Sequence, residues 1–262
     1  MMSEVELHSK IIGEEGPPLV VLHGLFGMGD NWASHARKWS NMGFQVHLID
    51  LRNHGRSPHM SSHSYSDMVE DLKLYSENKF HDKSSVKWIG HSMGGKALMQ
   101  FACKYPKYVE KMVIVDIGPK HYPVQYSEIL EAMNSLDFNQ LSSRAEADRA
   151  LEEQILDWGL RQFILKNLEW KADKKLGWKL NLKIIESQIS RIGEGLAFES
   201  HFSGPVLFIR GMNSQYILDD DWLNIMQIFP MANLDSISGA GHWVHSENPS
   251  EFQDSVNDFL LI

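Results

Sequence analysis

Short, uninterrupted apolar runs set between longer amphipathic stretches give this chain its pattern. Leu19-Val20-Val21-Leu22, Val86-Lys87-Trp88-Ile89, Met112-Val113-Ile114-Val115 and Val206-Leu207-Phe208-Ile209 are near-continuous rather than alternating, as strands buried on both faces of a parallel sheet are. Phe44 to Asp50 and Asn233 to Ile237 read as further strands, and Val5 to Ile12 alternates like an edge strand. Asn31 to Met42, with Trp32 and Trp39 on one side, Tyr65 to Lys79, Lys96 to Ala102 and Asp219 to Phe229 predict helices. A last helix starts at Glu247-Asn248-Pro249 and ends in Phe259-Leu260-Leu261-Ile262. Strands and helices in alternation predict an α/β fold, with a mostly parallel central sheet flanked by helices.

Between Pro123 and Pro205 the alternation stops. That stretch has no proline and no strand-like run, and amphipathic helical patterns take over. It predicts a helical cap over 120–204 inserted into a core made of 1–119 and 205–262. Ser143 and Glu146 have capping-box spacing, and Ile155, Trp158, Phe163, Ile164, Leu168 and Trp170 supply apolar faces. An insertion before the last strands is placed to cover a site at the strand ends and exclude water. Its aromatic residues then either line an acyl pocket or form the cap's own core.

The candidate chemistry lies in the loops that follow the strands. Gly90, Ser92 and Gly94 fit Gly-X-Ser-X-Gly between a strand and a helix, a turn so sharp that the serine hydroxyl faces outward. His23-Gly24-Leu25-Phe26-Gly27 leaves the Leu19–Leu22 strand, where open α/β sheets bind ligands, so its N–H groups either face a reacting carbonyl or serve a tight packing turn. Asp50-Leu51-Arg52-Asn53-His54-Gly55-Arg56-Ser57 is a polar loop at the same end. Its expected role is structural, with Asp50 pairing Arg52 and His54 a wall residue. Asp116 ends an apolar strand, where a carboxylate is costly without a partner, and His242 sits in a glycine-bounded loop as a candidate general base. His23, Phe26, Trp158, Phe163 and Trp243 are the candidate substrate-binding residues.

The bulk numbers narrow the partners. A length of 262 residues suits one core with an insertion, and 43% hydrophobic with 23% charged residues is ordinary globular composition, which excludes disorder. The net charge of −9 argues against a nucleic-acid surface or an anionic membrane and leaves a small-molecule partner. From Arg161 to Arg191, however, eight basic residues face three acidic ones, a net of +5, either a solvated face or an attraction for an anionic substrate. The start of the chain shows no basic and apolar leader pattern and no run reaches the length of a membrane span, so a cytoplasmic protein is expected. The one cysteine, Cys103, excludes an internal disulfide and reads as a small buried residue. Neither a metal nor a cofactor is expected, because the 13 histidines show no ligand spacing on an evident helix.

The order Ser92, Asp116, His242 is the chain order of α/β-hydrolases. The five segments His23 to Gly27, Asp50 to Ser57, Gly90 to Gly95, Val115 to Pro119 and Gly241 to Pro249 together resemble the YbfF-type esterases of that superfamily, along the whole chain. These are small carboxylesterases and acyl-CoA thioesterases with a helical cap. The resemblance implies an α/β-hydrolase fold and ester or thioester cleavage through an acyl-enzyme. His242 would take the Ser92 proton, and the N–H groups of Leu25 and Met93 would hold the oxyanion, with Phe26 as the alternative donor. The usual acid position, after Ile209-Arg210-Gly211, holds Met212-Asn213-Ser214-Gln215 with no carboxylate. Asp219, Asp220 and Asp221 follow but read as a first helical turn, whereas Asp116 matches the group's alternative placement. The same superfamily contains lyases and C–C bond hydrolases with this machinery, among them menaquinone-pathway lyases carrying Gly-His-Ser-Met-Gly-Gly. A dehalogenase would need an acid where Ser92 stands. A non-catalytic ligand receptor is the third reading, and both a monomer and a homodimer stay open.

Overall fold

The computed structural model describes residues 5–80, 86–124 and 126–261. Met1 to Glu4, at the start of the stretch read as lacking a leader, and Ile262, at the end of the terminal apolar run, lie outside the described residues. The chain runs β1 (Ser9–Ile12), β2 (Pro18–Leu22), α1 (Ala33–Asn41), β3 (Gln45–Ile49), α2 (Tyr65–Phe80), β4 (Val86–His91), α3 (Met93–Lys104) and β5 (Val109–Val115). The insertion follows, with α4 (Ser127–Asn134), α5 (Arg144–Glu152), α6 (Trp158–Leu165), β6 (Leu168–Trp170), β7 (Leu176–Trp178) and α7 (Leu182–Ser187). The core resumes as β8 (Val206–Gly211), α8 (Trp222–Ile228), β9 (Ala232–Ile237), α9 (Val244–Glu247) and α10 (Pro249–Leu261).

One seven-stranded sheet, in the order β1-β3-β2-β4-β5-β8-β9, is parallel throughout except for β1. Period-two geometry sends neighbouring residues of a strand to opposite faces. Val20 and Leu22 belong to the buried cluster that includes α2, α3 and α8, while Leu19 and Val21 belong to the one that includes α1 and α10. Both faces are thus covered, which is why the runs are continuous. Parallel strands also bring the ends of β2, β4, β5 and β8 to one edge, where Gly24, Ser92, Asp116 and Gly211 emerge. Among the described residues no helix is long and apolar enough to cross a membrane.

Three local expectations need correction. The insertion is not purely helical: β6 and β7 form an antiparallel hairpin, closed by Lys171 N–H to Lys175 O at 2.8 Å with Lys174 at φ 63. Strands of three residues are too short to show alternation in a sequence. The Ser143 hydroxyl does cap α5 by accepting the Glu146 N–H, but the Glu146 carboxylate returns to the Ser142 N–H at 2.6 Å, one residue beyond a capping box. Asp50 and Arg52 do not pair with each other. Arg52 forks onto Asp71 of α2 at 2.6 and 2.7 Å, and Asp50 accepts the N–H groups of Gly29 and Arg56 at 2.7 and 2.8 Å. Each ties down a different loop.

A buried lysine of the core ties the start of the insertion to its Glu194 segment. Lys96 in α3 is fully buried and donates to the carbonyls of Lys120 and Glu194, beneath the Tyr122 ring. Burial pushes its pKa from 10.5 down to about 7. Between about pH 7 and pH 10.5 the unfolded chain therefore binds more protons than the folded one, so Lys96 makes stability rise with pH across that window. In melts at pH 7 and pH 9.5, the Tm of wild type should gain on that of Lys96→Met as pH rises; a constant difference would contradict the buried amine.

Candidate active site

Ser92 is the single residue between β4 and α3, with φ 52 and ψ −119. A side chain in that region of backbone space is strained and persists only where neighbours over-determine it. Those neighbours are close. A Cβ on Gly94 would lie 2.5 Å from the His23 carbonyl oxygen, so only glycine lets α3 start against the end of β2. The Ser92 N–H donates to the Val115 carbonyl at 3.1 Å, fixing the turn to β5.

The residue after β5 is Asp116, wholly buried and at φ 48. Its Oδ1 accepts the Gly211 N–H at 3.1 Å, and its Oδ2 accepts the Ser214 hydroxyl at 2.5 Å and His242 Nδ1–H at 2.8 Å. Because a carboxylate only accepts, Nδ1 carries the histidine's proton and Nε2 offers a lone pair. Nε2 lies 3.0 Å from Ser92 Oγ. The imidazole is fixed by more than its two bonds. The Tyr216 ring stacks on it at 4.0 Å with 19° between planes, and His91 Nε2–H donates to the His242 carbonyl at 2.9 Å. Burial and the neighbouring His242 and His245 hold the His91 pKa well below its ordinary value, so His91 is a neutral donor. A hydroxyl, an imidazole and a carboxylate in this sequence can pass the serine proton to the imidazole while the carboxylate supports the cation. Asp219 instead pairs with Arg210 at 2.6 Å, Asp221 with Lys120 at 2.5 Å, and Asp220 is exposed beside them.

Facing Ser92 from β2 is a tight turn, Gly27 N–H to Gly24 O at 2.9 Å. It approaches closely: a Cβ on Gly24 would be 3.2 Å from Ser92 Cβ. His23 lines the cavity, but Nδ1–H donates to Gly24 O at 2.8 Å and Nε2 accepts from Leu51 N–H at 3.0 Å, so its polar atoms serve the turn. Burial lowers its pKa to about 4, which keeps it neutral. The Phe26 N–H is taken by His54 Nε2 at 3.3 Å. The candidate oxyanion donors are then the N–H groups of Leu25 and Met93, at the edges of the two cavities that meet at Ser92.

One cavity, of about 310 Å³, runs beneath the insertion along Met93, Ile117, Tyr122, Val124 and Ile192. The other, of about 210 Å³, is lined by Leu25, Phe26, Phe163, His242 and Trp243 and adjoins an outer groove of about 880 Å³. Tyr126 and Tyr216 border both cavities. The structure thus brings His23, Phe26, Phe163 and Trp243 to Ser92 but leaves Trp158 in the outer groove, 67% exposed. Asp157 caps α6 through the Leu160 N–H, which sets Trp158 on the outward first turn. Sequence reasoning passed over Ser214, Tyr126 and Tyr216. Ser214 stands in the four-residue stretch at the usual acid position, which is the one signal the sequence offers for it. Among the described residues no group of three or more His, Cys, Asp or Glu side chains is arranged to hold a metal ion.

Known proteins share this geometry's frame. Residues 17–154 match the family model described as alpha/beta hydrolase fold. The sn-1-specific diacylglycerol lipase ABHD11 of Xenopus tropicalis is 38% identical over 252 residues, covering 94% of this chain and 78% of that protein. Esterase YbfF of Escherichia coli is 33% identical over 244 residues, covering 93% of this chain and 92% of its own. A solved structure titled Marine microorganism esterase superposes with a TM-score of 0.93 at 40% identity, covering 98% of this chain and all of that one.

Proposed function

The chain belongs to the α/β-hydrolase family, and on that premise we propose that it is a serine carboxylesterase. Ser92 attacks the ester carbonyl as His242 Nε2 takes its proton, and the oxyanion is held by the N–H groups of Leu25 and Met93. Asp116 keeps His242 in the required tautomer and supports its cation. The proton then passes to the leaving oxygen, and water repeats the cycle on the acyl-enzyme. Relatives named esterase and lipase support ester hydrolysis. The observation that carries the reading is the unbroken chain Ser92–His242–Asp116 at 3.0 and 2.8 Å, opening on cavities with no arginine or lysine among their described lining residues. A lyase or C–C bond hydrolase working on a polyanion would need cations there.

The leaving group must lie where His242 can protonate it, so it takes the cavity that His242 lines. The acyl group takes the other one, beneath the insertion, which acts as a cap. At about 310 Å³ that cavity is at the small end of ligand pockets, which suits short to medium acyl chains. The adjoining outer groove gives room for a larger leaving group. Chemistry at Ser92 is the same for an oxygen or a sulfur leaving atom, so an acyl-CoA series belongs in the test beside p-nitrophenyl esters. Wild type should hydrolyse esters, with kcat/KM falling at long acyl chains, and should be labelled by a fluorophosphonate. Absence of both labelling and turnover would favour the receptor. Ile192→Trp, which fills the larger cavity, should lower kcat/KM for medium chains by about tenfold or more and change acetate esters by less than about threefold. An equal loss for all chain lengths would place the acyl group elsewhere.

A further inference from the structure

Of the residues around Ser92, Phe26 is held most unusually. It occupies φ 58, at the place in a tight turn where glycine is favoured, and its ring is buried edge-on to Tyr126 at 6.1 Å. Both of its peptide groups are gripped by side chains from distant segments. Its N–H donates to His54 Nε2 at 3.3 Å, and its carbonyl accepts from Asn167 Nδ2 at 2.7 Å.

Each grip is one-directional. His54 is fully buried, burial lowers its pKa to about 3, and its Nδ1–H is committed to the Arg52 carbonyl at 3.0 Å. Nε2 therefore carries a lone pair and accepts. Asn167 lies in the insertion between α6 and β6, with no exposed surface. Its backbone is pinned on both sides, N–H to Ile164 O at 3.0 Å and C=O from Lys179 N–H at 2.7 Å. The partners of its amide nitrogen, the carbonyls of Phe26 and Ile164, only accept, which assigns that atom as nitrogen. Oδ1 is buried with no partner among the described residues. An amide that leaves half its capacity unused is a poor stabilising choice at a buried position. It suits a donor that bridges the Phe26 carbonyl to the Ile164 carbonyl of the insertion.

We propose that Asn167 is a positioning residue for ester cleavage: from the cap, with His54 opposite it, Asn167 holds the Phe26 peptide in its left-handed conformation and so aims the Leu25 N–H at the oxyanion. The inference rests on the esterase reading above. In it the cap does more than cover the pocket. Released at the Phe26 carbonyl, the residue relaxes toward the ordinary backbone region, the Gly24–Gly27 turn opens, and the Leu25 donor moves off its mark. Donors in such a hole act through geometry set before the reaction, so the loss appears in the transition state and not in substrate binding.

The test uses Asn167→Leu, close in shape and without the donor, and Asn167→Ala, which removes the whole amide. Either one that folds, judged by its melting curve, suffices. Steady-state hydrolysis of a p-nitrophenyl ester is measured beside inhibition by an alkyl boronic acid, whose tetrahedral adduct on serine places an oxygen in the hole. The expected result is a kcat lower by about ten- to a hundredfold, KM within about threefold, and boronic acid affinity weakened in proportion to kcat/KM. Wild-type kcat and boronic acid affinity in a folded variant would overturn the proposal. So would a loss confined to KM and Tm, which marks a purely structural residue. If wild type itself neither turns over esters nor binds the boronic acid, the esterase reading fails, and this proposal with it.

Discussion

Ser92→Ala is expected to lower kcat for ester hydrolysis on the order of 10⁵-fold while leaving Tm within a few degrees of wild type. The change removes one oxygen whose hydrogen bond within the described structure is to His242 Nε2. The turn itself is held by backbone contacts, Ser92 N–H to Val115 and Lys96 N–H to the Ser92 carbonyl at 2.9 Å, and these survive in alanine. What disappears is the nucleophile. The oxyanion donors and the pocket remain, so some acceleration over water should persist. Turnover of a p-nitrophenyl ester and fluorophosphonate labelling are the two readouts. If the variant keeps more than about 1% of wild-type kcat, His242 is activating water directly and the acyl-enzyme does not form.

Asp116→Asn should cost about 10³- to 10⁴-fold in kcat, with little change in KM. The amide can still accept the Gly211 N–H with its oxygen in place of Oδ1, while its nitrogen takes the place of Oδ2, where the Ser214 hydroxyl can turn to accept from it. Its nitrogen then faces His242 Nδ1 and turns the ring to the other tautomer, with Nε2–H pointing at a hydroxyl it must deprotonate. The decisive comparison is a triple Asp219→Asn, Asp220→Asn, Asp221→Asn variant. Those carboxylates pair with Arg210 and Lys120 or face solvent, so kcat should change by less than about threefold. A collapse of the triple variant with an active Asp116→Asn would move the acid to the segment between β8 and α8.

Much of the frame can be read in the chain because burial on both faces leaves no ambiguity of period: Leu19–Leu22 and Met112–Val115 are apolar at every position. Ser92 and Asp116 were readable for a related reason. A serine between glycines at a strand end and a carboxylate closing an apolar strand are both costly without a purpose. The supports of these residues left weaker marks. Tyr216 reaches His242 from a loop with no periodicity, Arg52 finds Asp71 on a helix 19 residues away, and Asn167 is one polar residue beside another, Lys166. Contacts of this kind depend on where elements meet in space, which local pattern does not record. Trp158 shows the converse, since amphipathic spacing announces an apolar residue but not which cavity it enters.

The left-handed backbone at Phe26, Ser92 and Asp116 has a consequence for how this molecule can be improved. Each such residue costs about 1 to 3 kcal/mol that the rest of the fold must offset, against a net stability of only about 5 to 15 kcal/mol for a domain. Selection for heat resistance alone would drift toward glycine at Ser92, because glycine accepts the same backbone without strain and gives up one hydrogen bond there, whereas Phe26 is held by its buried ring and Asp116 by three hydrogen bonds. The hardiest descendants would then be inert, and a thermostable variant that still turns over has to draw its gains from the opposite edge of the sheet.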